Sequence, residues 1–207
     1  MIKVLGRASS INVRKVLWTC VELGLDIVHE PWGDEGLSLQ SPAFLAKNPQ
    51  GMVPVLQDGE LLLTESNTIC RYLAARQGRD DLLPTLPAQR AQVEQWMDWQ
   101  ATELNNAWRY AFMALVRHSP KHTDAAAIAA SVQEWMRQMS LLDTALARGG
   151  PYVAGAHFTV ADVVLGLSAQ RWHMAPMAHA SLPQVAAYLQ RLGERPGFQR
   201  HGCNGMP

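Results

Sequence analysis

The feature that most constrains this sequence is a stretch near residue 50 that combines a hairpin signal with a helix start. Residues 48–69 run NPQGMVPVLQDGELLLTESNTI. Asp58-Gly59 is a strong hairpin turn between the apolar runs 54–56 and 61–63. Ser66 then precedes apolar residues at helical spacing and is predicted to be the N-cap of a helix. The stretch therefore predicts two antiparallel strands, followed by a helix N-terminus suited to an anion.

Val53-Pro54 is an X-Pro step at the start of the first of these strands. Proline lacks an N–H and suits the first position of a strand. With a cis bond, the main-chain N–H and C=O of Val53 would face outward and could pair with a peptide-like ligand. The sequence leaves the isomer open, and an ordinary hairpin before a capped helix is the alternative interpretation of this segment.

The composition excludes several classes of function. The chain has 207 residues, 48% of them hydrophobic, and its 18 basic and 18 acidic residues give no net charge, which disfavours a nucleic-acid partner. It has no long apolar run and no signal-peptide pattern, so we expect a cytoplasmic protein with no membrane partner. The histidines lack metal-ligand spacing, and the three cysteines, an odd number without a CxxC pair, favour neither a disulfide framework nor a metal site.

The two halves of the chain differ in their apolar patterns. In the first half, strands are predicted at 2–6 and 25–29, with a helix between them, and the hairpin and a helix from Ser66 to about Gln77 follow a short helical piece around Phe44. This order, βαβ and then αββα, is the thioredoxin-like arrangement. The predicted N-terminal domain is therefore 1–77.

The second half is predicted to be all-helical. Charge, glycine and prolines at 78–87 indicate an interdomain linker, and apolar residues recur at helical spacing throughout 88–207. Thr159 with Asp162 three positions later is a carboxylate variant of the capping box and predicts the start of a helix. We assign this pair a role in folding rather than in chemistry.

These motifs together resemble the glutathione transferase family, in particular its bacterial theta-like, serine-type members. The resemblance extends over nearly the whole chain, and the run from Ser10 to Val16, SINVRKV, matches one that many bacterial members carry. It implies an α/β plus all-α architecture: an N-terminal thioredoxin-like domain followed by the helical transferase domain. No cysteine or tyrosine stands between Gly6 and Lys15, which counts against the cysteine-type members.

An enzyme of this family makes a thiolate from glutathione at neutral pH. Lowering the pKa of a thiol from about 8.5 by about two units needs about 2.7 kcal/mol, which one hydrogen bond and a helix N-terminus can supply together. Ser10, between the first strand and the first helix, is the candidate donor, and helix capping is its alternative role. The resemblance favours Ser10 over its rival Ser9. It also implies catalytic assistance from Asn12, for which a second capping role is the alternative.

The resemblance also implies the contacts of glutathione itself. It places the γ-glutamyl end on Glu65 and Ser66 and the cysteinyl amide on the main chain of Val53, although Glu65 alone would be interpreted as a solvated turn carboxylate. Many relatives have a lysine or arginine immediately before the Val-Pro step to bind the glycyl carboxylate, but here that position is Met52. Two nearby polar side chains are possible replacements, those of Lys47 and Gln50.

The second substrate is expected between the domains, as a hydrophobic electrophile. An aromatic-rich region of the helical half is available, although most of its side chains are expected to be core: Trp96, Trp99, Trp108, Tyr110, Phe112 and Met113. The resemblance implies a cytoplasmic homodimer that uses glutathione as co-substrate, without a metal, in detoxification. A glutathione-dependent dehalogenase, ether-cleaving enzyme or isomerase would share the site, and a non-catalytic glutathione- or protein-binding module of the same fold is the other alternative.

Overall fold

The computed structural model describes residues 1–207, in a sheet-containing half followed by a helical half. The first half comprises β1 (Ile2–Leu5), α1 (Ile11–Glu22), β2 (Ile27–Glu30), α2 (Pro42–Leu45), β3 (Val55–Asp58), β4 (Leu61–Leu63) and α3 (Ser66–Arg76). The second half comprises α4 (Pro87–Trp99), a π-helical turn (Gln100–Leu104), α5 (Asn105–Leu115), α6 (Ala125–Gly149), α7 (Val160–Met174), α8 (Pro183–Leu192) and α9 (Pro196–His201). None of these helices has both the length and the apolarity that crossing a bilayer demands.

The strands form one mixed sheet in the order β2-β1-β3-β4. β1 is parallel to β2, with Ile2 opposite Ile27, and antiparallel to β3, with Ile2 opposite Asp58. β3 and β4 form the hairpin that the Asp58-Gly59 signal predicts, and Gly59 has a positive φ of 61° at its turn. The thioredoxin-like order of the N-terminal half is therefore confirmed, with β2 starting two residues later than predicted.

Helix α1 is buried on nearly all sides and fixes the position of the site. It packs against α3 on one side and against α7 and α9 of the helical half on the other. Trp18 is fully buried, and a Cβ at Gly197 would lie 2.2 Å from its Cδ1 atom, so only glycine allows α9 to approach this closely. Side chains on α1 are consequently held by both halves of the molecule.

The segment between α3 and α4 contains no helix or strand, as expected of a linker, but it is packed. Leu82 and Leu83 are buried, and the Leu82 carbonyl accepts a hydrogen bond of 3.0 Å from the Val160 N–H at the start of α7. The domain boundaries 1–77, 78–87 and 88–207 remain a prediction.

The predicted helix start at Thr159 is observed, since α7 begins at Val160. Asp162 Oδ2 accepts from the Thr159 N–H at 2.8 Å, and Asp162 Oδ1 accepts from the Val153 N–H at 2.9 Å and the Tyr188 hydroxyl at 3.0 Å. Burial raises the pKa of the Asp162 carboxyl to about 6, against the opposing effect of these hydrogen bonds. This carboxylate joins the loop before α7 to α8, so its function is structural.

Candidate functional site

A polar cavity of about 300 Å³ lies where the two halves of the molecule meet. Its lining comes from α1, the loop before β3, the start of α3 and the region of the π-turn and α5: Asn12, Lys15, Asn48, Gln50, Met52, Val53, Pro54, Thr64, Glu65, Ser66, Asn67, Ala101, Asn105 and Arg109. A larger cavity of about 620 Å³ lies beside the linker and contains none of the predicted site residues. The polar cavity gathers Asn12, Met52, Val53, Glu65 and Ser66, which are five of the six predicted residues.

The loop before β3 is held in place by one buried amide. Asn48 Nδ2 donates to the Met52 carbonyl at 2.8 Å, and Asn48 Oδ1 accepts from the Gln50 N–H at 3.1 Å. The Val53-Pro54 bond is cis, which answers the question that the sequence left open. Asn48 was missed by the sequence analysis, because a lone Asn-Pro pair indicates only a turn.

The start of α3 differs from the prediction by one residue. The predicted N-cap, Ser66, is wrong: Ser66 is the first helical residue and Glu65 is the N-cap, because the Ile69 N–H donates to the Glu65 carbonyl at 2.9 Å. Glu65 has φ 63° and ψ 107°, a conformation that non-glycine residues adopt at a cost and that is concentrated at functional sites. The Glu65 side chain does not cap the helix, so the first N–H groups of α3 are left for another acceptor.

Ser10 is the N-cap residue of α1, but its side chain makes no capping hydrogen bond. The Ser10 hydroxyl therefore does not cap the helix. A Cβ at Gly6 would lie 2.5 Å from Val13 Cγ2 and 2.8 Å from Val53 Cβ, so the β1–α1 loop packs directly against Val53. Ser10 itself does not line the cavity, whereas Asn12, two residues along the chain, does.

The end of the cavity near Met52 lacks the basic residue that the family resemblance led us to expect before the Val-Pro step. The Met52 side chain is exposed, with 61% of its surface accessible. Lys47 Nζ donates to Gln57 Oε1 at 3.0 Å and does not line the cavity, whereas Gln50 does. Arg109, on α5, is also part of the lining, and sequence spacing did not indicate this because Arg109 lies far along the chain from the loop.

Lys15 is the second residue that the sequence analysis missed. Its Nζ atom donates to Asn67 Oδ1 at 3.1 Å and to Gln100 Oε1 at 2.7 Å, which joins α1 to both halves. Burial lowers the pKa of the Lys15 ammonium to about 7, with Arg171 lowering it further and Cys70 and Glu65 acting in the opposite direction. Within a helical pattern Lys15 resembles any solvated lysine, so only the fold reveals its burial.

The aromatic region predicted for a second substrate does not form a single surface. Trp96 and Trp99 contact each other edge to face and line a groove with Gln95 and Leu141, away from the residues of the polar cavity. Phe112 packs beneath the guanidinium of Arg117, which donates to the Ser9 carbonyl at 3.3 Å. The segment just after α5, through Arg117, is therefore the part of this region that reaches the loop carrying Ser9 and Ser10.

No group of three or more His, Cys, Asp and Glu side chains is arranged to hold a metal ion. All three cysteines are free: Cys20 and Cys70 are buried and Cys203 is exposed. Burial raises the pKa of the Cys20 thiol to about 12 and that of Cys70 to about 11, so neither is a thiolate near pH 7.

Comparison with known proteins identifies the family. The model of the glutathione S-transferase N-terminal domain matches residues 5–81, and that of the C-terminal domain matches residues 125–191. The chain is 40% identical to glutathione S-transferase GstB of Escherichia coli K12 over 97% of both chains, and 32% identical to glutathione S-transferase 3 of Zea mays over 96% of this chain and 92% of that one.

The structural comparison agrees with the sequence comparison. The crystal structure of the theta class glutathione S-transferase from Xanthomonas axonopodis pv. citri with glutathione bound superposes with a TM-score of 0.90 at 38% identity, covering 97% of this chain and 96% of that one. The arrangement of the two halves thus has a known counterpart. The chain belongs to the glutathione S-transferase family, as a bacterial theta-like member.

Proposed function

We propose that this protein conjugates the thiolate of glutathione to a hydrophobic electrophile, leaving a thioether. The observation that carries the proposal is the polar cavity, in which the Val53 main chain, Glu65 and the start of α3 converge beside the loop bearing Ser10. The similar theta class enzyme with glutathione bound supports the choice of ligand. We also propose that the protein acts as a cytoplasmic homodimer, as is usual for this family.

The charge of the cavity suits the γ-glutamyl end of glutathione. Ser66 and the unpaired N–H groups at the start of α3 receive the α-carboxylate, which the positive end of the helix dipole also favours. Glu65 accepts from the ammonium, and the Val53 main chain pairs with the cysteinyl amide. The glycyl carboxylate lies toward Met52, and Gln50 and Arg109 are donors in the cavity lining that can reach it.

Ser10 and Asn12 act on the sulfur. The Ser10 hydroxyl, which caps no N–H of its own helix, donates to the thiolate, and the N-terminus of α1 adds a smaller stabilisation. Asn12, from the cavity wall, holds Ser10 or adds a second donor. No general base is needed, because stabilising the thiolate makes glutathione ionise at neutral pH. The electrophile enters between Ser10 and the Phe112 side of α5.

A dehalogenase, an ether-cleaving enzyme or an isomerase would use the same thiolate and differ in the second pocket. A non-catalytic module would bind glutathione without turnover. Retention of the protein on immobilised glutathione, combined with an assay against a model aryl halide, separates these classes. Binding with thioether formation supports the proposal, binding without turnover supports the module, and no binding would overturn both.

The role of Ser10 is tested by the pH–rate profile. Ser10→Ala should raise the apparent pKa of bound glutathione by about one unit or more, since it removes about 1.4 kcal/mol or more of thiolate stabilisation, with a smaller change in glutathione affinity. Ser9→Ala is the matched control and should change little. An unchanged profile in Ser10→Ala, or a larger loss in Ser9→Ala, would move the role away from Ser10.

A further inference from the structure

Lys15 is a buried amine that borders the cavity and forms no ion pair within the chain. Only 1% of its surface is accessible, yet it contributes to the wall of the cavity between the halves. Its two hydrogen bonds go to neutral amide oxygens, those of Asn67 and Gln100, and it forms no ion pair. A buried cation without a counter-ion is costly, so such a group is expected to become neutral.

The two acceptors are fixed in position by bonds of their own. Asn67 Nδ2 donates to the Met97 carbonyl at 2.8 Å, and Gln100 Nε2 donates to Asn105 Oδ1 at 2.9 Å. These bonds turn both amide oxygens toward Lys15. A neutral amine has two N–H donors, which these two acceptors satisfy completely, whereas an ammonium has a third donor.

The third donor of the ammonium has no acceptor within the chain, so an anion in the cavity can accept from it. Asn67 directly follows Ser66, the residue proposed to hold the γ-glutamyl carboxylate, so this carboxylate lies on the Lys15 side of the cavity. The other charged or titratable groups that act on Lys15 are Glu65 and Cys70 from the α3 side and Arg171 from α7. The lowered pKa of about 7, caused mainly by burial, places the neutral form within the physiological range.

We propose that a substantial fraction of Lys15 is neutral in the free protein near pH 7 and takes up a proton when glutathione binds, so that its third N–H pairs with the γ-glutamyl carboxylate. This inference rests on the proposed binding of glutathione and adds to it a buried cation that forms only with the ligand. Glutathione affinity then depends on pH through the protein as well as through the thiol.

Calorimetric titration with S-methylglutathione isolates this step, because that ligand has no thiol to ionise. Titrations in phosphate and in Tris, whose ionisation enthalpies differ, report the protons exchanged on binding. With a free pKa of about 7, the native protein should take up about half a proton more than Lys15→Met at pH 7 and almost none more at pH 5.5. Lys15→Met should also bind about ten-fold more weakly, because it lacks a hydrogen bond between charged groups.

Two further variants complete the test. Lys121→Met removes an exposed lysine far along the chain and should leave both affinity and proton uptake unchanged. Lys15→Arg carries a permanent charge and should bind without the extra proton. The inference about Lys15 would be wrong, and the proposed function would stand, if the native protein took up no protons at pH 7 or took up as many as Lys15→Met. No binding of S-methylglutathione by the native protein would overturn the proposed function together with it.

Discussion

Asp162 and Lys15 are buried ionisable groups in two different regions of the molecule, and the two regions satisfy them in opposite ways. Asp162, in the helical half, has no accessible surface, and its two oxygens accept from two backbone N–H groups and the hydroxyls of Thr159 and Tyr188. Lys15, between the halves, is buried almost as deeply but has only two neutral acceptors and an adjacent cavity.

From this difference we infer that Asp162 stabilises the fold, whereas Lys15 binds a ligand. Buried polar groups are normally satisfied within the protein, and Asp162 follows that rule. Lys15 as a cation has three N–H donors but only two acceptors in the protein, and it borders a cavity. We therefore infer that its third acceptor belongs to a ligand. If this distinction holds, changes around Asp162 should alter stability, and changes around the cavity should alter glutathione binding.

The largest effect is expected for Asp162→Ala. The substitution leaves two backbone N–H groups and two hydroxyls without their acceptor inside the core, so it should lower the free energy of unfolding by about 3–5 kcal/mol. Urea denaturation followed by circular dichroism at pH 7.5 measures this loss.

The control for Asp162 is the exposed N-cap of α6. Asp124 accepts from the Ala126 and Ala127 N–H groups, and Asp124→Ala should cost only about 1 kcal/mol. Equal costs for the two variants, or a folded Asp162→Ala protein with native stability but weakened glutathione binding, would remove the distinction between the two regions.

Glu65→Ala tests the cavity side of the comparison. It removes a charge-assisted hydrogen bond to the ammonium of glutathione and should weaken binding by about 1.5–3 kcal/mol, roughly ten- to a hundred-fold. The loss should appear chiefly in the KM for glutathione, because the ammonium is remote from the sulfur. Glu60→Ala, in the exposed hairpin turn, is the matched control and should change neither binding nor stability.

A glutathione analogue without the γ-glutamyl amino group tests whether the two charges meet. It should bind the native protein poorly and lose little extra in Glu65→Ala, as a double-mutant cycle requires. If the losses of affinity from the analogue and from Glu65→Ala are additive, the two groups do not interact, and Glu65 is a solvated turn carboxylate. Glu65→Gly adds a structural check: it should relieve the positive φ of 63° and stabilise the fold while binding weakens.

Lys15 should also make stability depend on pH. Its pKa is lowered to about 7 in the folded protein from about 10.5, so the unfolded chain binds the proton more tightly over that range. The contribution of Lys15 to the free energy of unfolding is therefore fully present above about pH 10.5 and is lost as the pH falls toward 7. Between pH 7.5 and 9 the native protein should gain about 2 kcal/mol of stability relative to Lys15→Met, measured by urea denaturation. A constant difference between the two proteins would show that Lys15 stays charged throughout.

The sequence predicted what depends on neighbours along the chain. The hairpin at Asp58-Gly59 and the helix start after Thr159 follow from local patterns and are present. The strand order of the first half is also present, but it was expected from the family resemblance, because it pairs strands that are distant along the chain. The N-cap of α3 was misplaced by one residue, because propensity favours serine as a cap while the observed cap, Glu65, has a backbone conformation that its own residue type disfavours.

What the sequence did not predict depends on contacts between distant segments. Lys15 donates a hydrogen bond to Gln100, which is 85 residues away in sequence, and Asn67 donates one to Met97, which is 30 residues away. No local sequence pattern therefore reveals that the Lys15 amine is buried. Arg109 likewise joins the lining only because the fold brings α5 and the loop before β3 to the same cavity. For this part of the site, residue type and spacing were not sufficient, and the fold was required.

The smallest effect is expected at the exposed end of the cavity, for Met52→Lys. A lysine there restores the charge that many relatives use for the glycyl carboxylate, but Met52 is 61% accessible, and an exposed ion pair contributes only about 0.2–1 kcal/mol. Glutathione affinity should rise by about five-fold at most and return toward the native value in high salt. Leu61→Lys adds the same charge to the exposed β4 edge and should give no gain. Glutathione esterified at the glycyl carboxylate should lose the gain entirely. If the ester keeps it, the new lysine does not meet that carboxylate, and Gln50 or Arg109 is the partner to substitute next.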